Sequence, residues 1–212
     1  RDTFRRVAEE VVMPLAEEVL ARHPGAAVVY DVKCSQRLTR LIECCGGRPI
    51  LWKTGHSLIK AKMRETGALL GGELTGRFVH ADDWFGFDDA FYAAARLLNL
   101  LVRCDVSSAE FFAAYPTGLT TPELRLDMAE GEPFRLLDEL KASARFEGAD
   151  EVITIDGLRV EYQDGFGLAR PSNTTPVVVL RFEADSPAAL ARIQEDFRRV
   201  LKTARPTLAL PF

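Results

Sequence analysis

Apolar residues recur at helical spacing from the first turn onward: Phe4, Val7, Val11, Val12, Leu15 and Val19. That spacing predicts an amphipathic helix, which Pro14 should kink or divide and His23-Pro24-Gly25 should stop. Residues 27–32 form a short apolar run and read as a buried strand. Residues 36–45 read as a helix closed by Gly46-Gly47, and residues 49–53 as a second strand. Thr54-Gly55-His56-Ser57 opens a further helix running to about Thr66, with Ser57 a candidate N-cap. Residues 69–73 and 78–80 are strand candidates on either side of Thr75-Gly76, and residues 89–102 are a strong helix with Phe91, Ala94, Ala95, Leu98 and Val102 on one face. Ser107 or Ser108 caps a short helix ending near Tyr115.

Alternating strands and helices imply a parallel or mixed sheet with helices packed on it. In such sheets ligands gather where strands end and helices begin, and Lys33, His56 and Ser57 occupy those places. Residues 116–122, Pro-Thr-Gly-Leu-Thr-Thr-Pro, are turn formers without periodicity, so a domain boundary falls there. Residues 1–116 are then an α/β unit with a mixed sheet, and residues 123–212 an α+β unit with an antiparallel sheet. In the second unit residues 152–155 and 158–162 flank the hairpin signal Asp156-Gly157. Asp185 or Ser186 caps a last helix with Pro187 in its first turn, and its apolar stripe is Leu190, Ile193, Phe197, Val200 and Leu201.

Composition narrows the class. The 212 residues are 47% hydrophobic and 27% charged, with a net charge of −4, the balance of an ordinary globular chain. That charge argues against nucleic-acid binding, and no apolar run approaches a membrane span. The opening Arg-Asp-Thr-Phe-Arg-Arg does not read as a secretion signal. Four cysteines without a Cys-x-x-Cys spacing suggest reduced thiols and a cytoplasmic setting rather than a disulfide framework or zinc site.

The densest chemistry lies in Arg170-Pro171-Ser172-Asn173-Thr174-Thr175-Pro176. One guanidinium, three hydroxyls and an amide stand between two prolines, just before the apolar residues 177–180. Arginine presents a planar fork of donors that fits phosphate bidentately, and proline restricts the backbone that carries the other donors. An anion-binding loop and a solvated turn are both open on spacing alone. Glu73 and Thr75, two apart in an apparently extended segment, should face one side and together grip adjacent hydroxyls. Gly72 and Gly76 should let backbone approach a ligand. Asp82, Asp83, Asp88 and Asp89 invite a metal, but their spacing is no calcium loop and Asp89 is better placed to begin a helix.

Two sets of motifs carry a resemblance. Gly165-Phe166-Gly167-Leu168, the 170–176 loop and Leu180-Arg181-Phe182-Glu183-Ala184 resemble the C-terminal domain of the phosphoglucomutase/phosphomannomutase family, the alpha-D-phosphohexomutases. Asp31-Val32-Lys33-Cys34-Ser35, Trp52-Lys53-Thr54-Gly55-His56-Ser57, Gly72-Glu73-Leu74-Thr75-Gly76 and Gly86-Phe87-Asp88-Asp89 resemble that family's third domain, in the same order. The resemblance implies a fold ending in a TATA-box-binding-protein-like domain. It implies hexose phosphates as ligands, mannose or glucose 1-/6-phosphate, and missing N-terminal domains as partners.

Residue by residue, it places Lys33 and His56 near the phosphosugar and Glu73 and Thr75 on the hexose 3- and 4-hydroxyls. It places Arg170, Ser172, Asn173, Thr174 and Thr175 on the phosphate that is not reacting. Thr75 stands where serine is usual and Arg77 where histidine is usual. The family's phosphoserine stretch, Thr/Ser-Ala-Ser-His-Asn-Pro, and its Mg²⁺-binding stretch, Asp-Gly-Asp-Gly-Asp-Arg, do not occur. The expectation is therefore the C-terminal half of a mutase, without catalytic serine or metal of its own and ending natively at Pro211-Phe212. The alternative is a stand-alone phosphosugar-binding or regulatory module.

Overall fold

The computed structural model describes residues 2–115 and 117–212, with side chains described from residue 11. The side chains of the expected apolar positions Phe4 and Val7, and all of Arg1 and Pro116, lie outside what is described. The chain divides into two compact units, Arg1–Thr117 and Gly118–Phe212.

The first unit opens with helix α1 (Asp2–Arg22). Pro14 does not divide it. Val11, Val12, Met13, Leu15, Ala16, Val19 and Leu20 are all buried around that turn, and this packing outweighs the one hydrogen bond that proline removes. Strand β1 (Ala27–Asp31) follows, then α2 (Gln36–Cys44), β2 (Arg48–Trp52), α3 (His56–Thr66), β3 (Leu70–Gly72), β4 (Phe78–His80), α4 (Ala90–Arg103) and α5 (Ser108–Ala113). The sheet order is β2-β1-β3-β4. β1 is parallel to β2 and β3, and β4 returns antiparallel, so the sheet is mixed as expected.

The period of two along β1 divides the core. Val28 and Tyr30 join α1, α2 and Ala93 of α4 on one face. Ala27 and Val29 meet Ile59 and Met63 of α3 on the other. Bare glycines let the helices sit close: a Cβ at Gly72 would lie 2.7 Å from Val12 Cγ2, and one at Gly71 2.5 Å from Met63 Sδ.

Local signals account for the helix ends. Ser35 caps α2 through a bond from Arg37 N, Asp89 caps α4 by accepting from Phe91 N and Tyr92 N, and Ser107 and Glu110 form a capping box on α5. α3 departs from expectation. Its N-cap is Gly55, without a side-chain cap, and Ser57 is already inside the first turn. In α4 the face carrying Phe91, Ala94, Ala95, Leu98 and Val102 is the exposed one. Ala93 is buried, and Leu97 and Leu100 pack inward beside it. The helix is apolar on both sides, so periodicity alone did not decide which side meets α1.

The second unit holds β5 (Leu119–Thr120), β6 (Leu124–Asp127), α6 (Glu132–Ser143), β7 (Glu151–Ile153), β8 (Leu158–Tyr162), β9 (Gly165–Pro171), β10 (Val177–Ala184) and α7 (Pro187–Ala204). The sheet runs β5-β10-β9-β8-β7, with β6 also on β10, and every described pairing is antiparallel. The boundary segment is therefore partly strand: Leu119 and Thr120 pair with Ala184 and Glu183, too short a run to show in a sequence pattern. β7 stops at Ile153, two residues before the expected end. The Asp156-Gly157 turn then joins it to β8, with Gly157 at φ 98°. Leu136, Leu137 and Leu140 of α6 and Ile193, Phe197 and Leu201 of α7 cover one sheet face, packing on Val160, Leu180 and Phe182. Ser186 caps α7, with Pro187 next, as expected. No helix among the described residues is long and apolar enough to cross a membrane.

Candidate functional site

The parallel strands β2, β1 and β3 end at one edge, and each passes straight into a chemistry-bearing segment. Beyond β1 stands Lys33, only 5% exposed. Its backbone N–H donates to Asp31 Oδ1 at 3.1 Å, and its Nζ lies 3.6 Å from Asp31 Oδ2. Beyond β2 comes Gly55, whose N–H donates to Glu73 Oε1 at 2.8 Å. Beyond β3 comes Glu73, 3% exposed. Its Oε2 is buried without a hydrogen-bond partner, with Arg77 Nη1 3.8 Å away. Burial raises the Glu73 carboxyl above its ordinary pKa, and the neighbouring Asp31 charge adds to the rise. The Gly55 N–H, Lys33 and Arg77 act against it. The edge thus gathers two buried carboxylates and the buried Lys33 ammonium, where each charge acts more strongly than in solvent, with the Arg77 guanidinium 56% exposed at its rim.

Glu73 and Thr75 do not lie in an extended segment. Gly76 N donates to Glu73 O and Glu73 N to Arg77 O, so residues 73–77 form a tight turn between β3 and β4 with Gly76 at φ 82°. The turn buries Glu73 and leaves Thr75 exposed at its tip. The expected shared face is replaced by an inner carboxylate and an outer hydroxyl. Gly76 serves the turn, and Gly72 serves the packing of α1 rather than approach to a ligand. His56 stands at the same sheet edge, with its exposed ring 3.7 Å from Asp88 Oδ2, a carboxylate that Lys60 also holds at 2.6 Å.

The aspartates that suggested a metal are all engaged elsewhere. Asp82 and Asp83 pair with Arg22, and Asp82 also with Arg96, which reaches Glu18 on α1. Burial is the largest single influence on the Asp82 carboxyl and pushes it up, but the His80 ring 3.5 Å away and the Arg96 guanidinium outweigh it and hold the group far below its usual range. Asp89 caps α4. No cluster of metal-ligating side chains occurs among the described residues.

In the second unit residues 172–176 form the β9–β10 connection. Ser172 Oγ is its hub: it accepts from Thr174 N at 3.3 Å and Thr175 Oγ1 at 3.0 Å, and Thr174 Oγ1 lies 3.4 Å away. Asn173, Thr174 and Thr175 are exposed. With Gly131, Pro133 and Phe134 at the start of α6 and the neighbouring Glu130, the loop encloses a cleft of about 140 Å³. Arg170 does not line it. This side chain is 6% exposed and is held by Asp156, Nε to Oδ2 at 3.1 Å and Nη2 to Oδ1 at 3.5 Å. Gly157 permits this: a Cβ there would collide with Ala169 O and lie 2.7 Å from Arg170 Cα.

Comparison with known proteins decides the family. Residues 8–117 match the model of phosphoglucomutase/phosphomannomutase alpha/beta/alpha domain III, and residues 120–200 that of the phosphoglucomutase/phosphomannomutase C-terminal domain. The chain belongs to the phosphoglucomutase/phosphomannomutase family. It is 50% identical over 204 residues to a phosphomannomutase/phosphoglucomutase of Pseudomonas putida, covering 96% of this chain and 44% of the relative. It is 50% identical over 201 residues to a phosphoglucomutase of Neisseria meningitidis, covering 94% and 43%. A crystal structure of a phosphoglucomutase/phosphomannomutase family protein from Burkholderia thailandensis superposes with a TM-score of 0.91 at 57% identity, covering 96% of this chain and 43% of that one. The chain spans less than half the length of these relatives and corresponds to their C-terminal portion.

Within this phosphohexomutase portion the structure brings Lys33, Glu73 and Arg77 to one edge and Ser172, Asn173, Thr174 and Thr175 to one loop. It leaves Thr75, Arg77 and His56 exposed outside the buried pair of Lys33 and Glu73 and ties Arg170 to an internal carboxylate. Sequence reasoning gave no role to Asp31 or Asp156. Asp31 falls at the end of the apolar run that reads as a strand, and Asp156 falls in the hairpin signal Asp156-Gly157. The available signal is the Asp-x-Lys spacing at a strand end, since an aspartate there can accept from the N–H two residues on and close a turn.

Proposed function

We propose that the chain is the sugar- and phosphate-holding half of a phosphohexomutase acting on mannose or glucose 1-/6-phosphates. In this reading residues 1–116 are the sugar-recognition domain and residues 123–212 the phosphate-holding domain. The observation that carries the proposal is the buried Glu73 Oε2, an acceptor without a hydrogen-bond donor beside Lys33 and Arg77. Such an oxygen costs stability unless a ligand donor reaches it, and a sugar hydroxyl is a neutral donor of the right kind. Glu73 and Thr75 hold the hexose hydroxyls, and Lys33, His56 and Arg77 hold charge and orientation around them. Arg170, Ser172, Asn173, Thr174 and Thr175 form the loop for the distal phosphate, with Arg170 reaching phosphate by exchanging some of its Asp156 contact. Phosphoryl transfer depends on such positioning and on neutralising charge. Among the described residues no side-chain cluster fits Mg²⁺, so no step of the chemistry is assigned to the metal in this chain. The setting proposed is cytoplasmic.

Arg77 is the one substitution with chemical weight. A histidine there could exchange a proton near neutral pH, whereas a guanidinium stays charged and serves as a fixed donor.

Calorimetric titration with glucose 1-phosphate and with inorganic phosphate tests the assignment. Glu73→Gln keeps the acceptor for Gly55 N–H and should weaken hexose phosphate binding by roughly 1.5–3 kcal/mol, the worth of a hydrogen bond to a charged group. Inorganic phosphate binding should hold. Equal losses for both ligands would show that Glu73 acts on the fold rather than on the sugar.

A further inference from the structure

We infer that Asp31 is a positioning residue for the sugar edge: it holds the Lys33 ammonium and backbone in place and sets a second negative charge against Glu73. The inference rests on the phosphosugar reading above for its consequence, but not for its geometry. Asp31 is the last residue of β1 and has no solvent exposure. One of its oxygens accepts from Lys33 N at 3.1 Å and Cys34 Sγ at 3.4 Å. The other lies 3.6 Å from Lys33 Nζ and has no hydrogen bond of its own. A buried carboxylate so arranged is expensive on stability grounds alone.

Asp31 therefore does two things, of which only the second needs its charge. Its first oxygen closes the turn from strand to loop, which fixes where Lys33 leaves the sheet. Its second oxygen and the Lys33 ammonium form an ion pair in a place short of water, so the lysine stem is held across the edge rather than free to follow solvent. Lys33 in turn acts on Glu73, as do Arg77 and the Gly55 N–H, and Asp31 opposes all three. Lys33 and Glu73 are thereby presented together, as a cation and an acceptor, to one ligand. Asp31 does not need to touch the ligand for this.

The variant Asp31→Asn keeps the acceptor for Lys33 N and removes the charge. Two measurements on the 212-residue chain read it. In a ¹³C NMR titration of labelled glutamates, with Glu73→Gln assigning the resonance, the Glu73 midpoint should move down in Asp31→Asn, because a like charge has gone. In calorimetry glucose 1-phosphate should bind about tenfold more weakly, the loss of about one charge-assisted contact. Inorganic phosphate should bind no more weakly than before, since a negative charge has been removed. An unmoved Glu73 midpoint overturns the inference, as does glucose 1-phosphate binding that is unchanged or tighter. If the wild-type chain binds no glucose 1-phosphate, the reading of function fails and the titration alone decides for or against Asp31. If Asp31→Asn does not fold, Lys33→Met is titrated in its place. Loss of the ammonium should then raise the Glu73 midpoint, and a midpoint that stays put overturns the inference.

Discussion

Two residues show how much of this site rests on single atoms. Gly157 turns at φ 98° with β9 pressed against it, so an added methyl meets both a forbidden backbone region and the Arg170 main chain. Gly157→Ala should destabilise the chain by about 2 kcal/mol or more and shift the Asp156 carboxylate off Arg170. Denaturant melting measures the first effect, and a loss below about 0.5 kcal/mol would refute the strain argument. Glu73 carries a pH signature. Its folded pKa is raised above the unfolded value, so the native state binds more protons than the unfolded chain between the two. Stability should therefore fall as pH rises through that window. Glu73→Gln cannot titrate, so its melting temperature should approach the wild-type value near pH 4 and gain on it toward neutral pH. A gap that narrows on raising pH would reverse the sign and disprove the raised pKa.

At the scale of elements, what was legible in the sequence had a local physical cause. Helix starts at Ser35, Asp89, Ser107 and Ser186 follow from side-chain acceptors that reach free N–H groups, and the continuous apolar run of β1 follows from burial on both faces. What was not legible depended on packing partners far away in sequence. Pro14 was tolerated because α1 is clamped by the sheet and α2. Glu73 turned inward because a hairpin of three-residue strands leaves no room for an extended 73–77 segment. Arg170 found Asp156 because β8 and β9 pair in one register. The outward face of α4 is the clearest case: Phe91 is 91% exposed while Phe197 of α7 is 1% exposed, yet both sit in apolar helical stripes. Phe91→Ala should change stability by less than about 0.5 kcal/mol and Phe197→Ala should cost about 3–5 kcal/mol. Thermal or urea melts of the two variants compare them, and similar losses would mean that α4 packs differently from this description.

At the scale of the whole molecule, the chain holds two units with separate cores and two sets of polar groups, one at a sheet edge and one in a loop. Neither set contains an activated nucleophile. The nearest candidates, Ser172 and the loop threonines, are bound to one another rather than to a base, and a free serine or threonine hydroxyl is a weak nucleophile without one. Binding groups alone can orient a sugar phosphate but cannot accept and return its phosphoryl group. The 212-residue chain should therefore show only background turnover in a coupled assay with glucose 1-phosphate or mannose 1-phosphate, bisphosphate activator and Mg²⁺. Adding a polypeptide that carries the family's phosphoserine and Asp-Gly-Asp-Gly-Asp-Arg stretches should bring turnover back. That recovered rate should fall when Glu73→Gln replaces the wild-type chain, because transition-state positioning passes through this half. Turnover by the chain alone would show that a nucleophile has been overlooked here. Recovery that is indifferent to Glu73 would show that the sheet edge, however buried and charged, is not where the sugar sits.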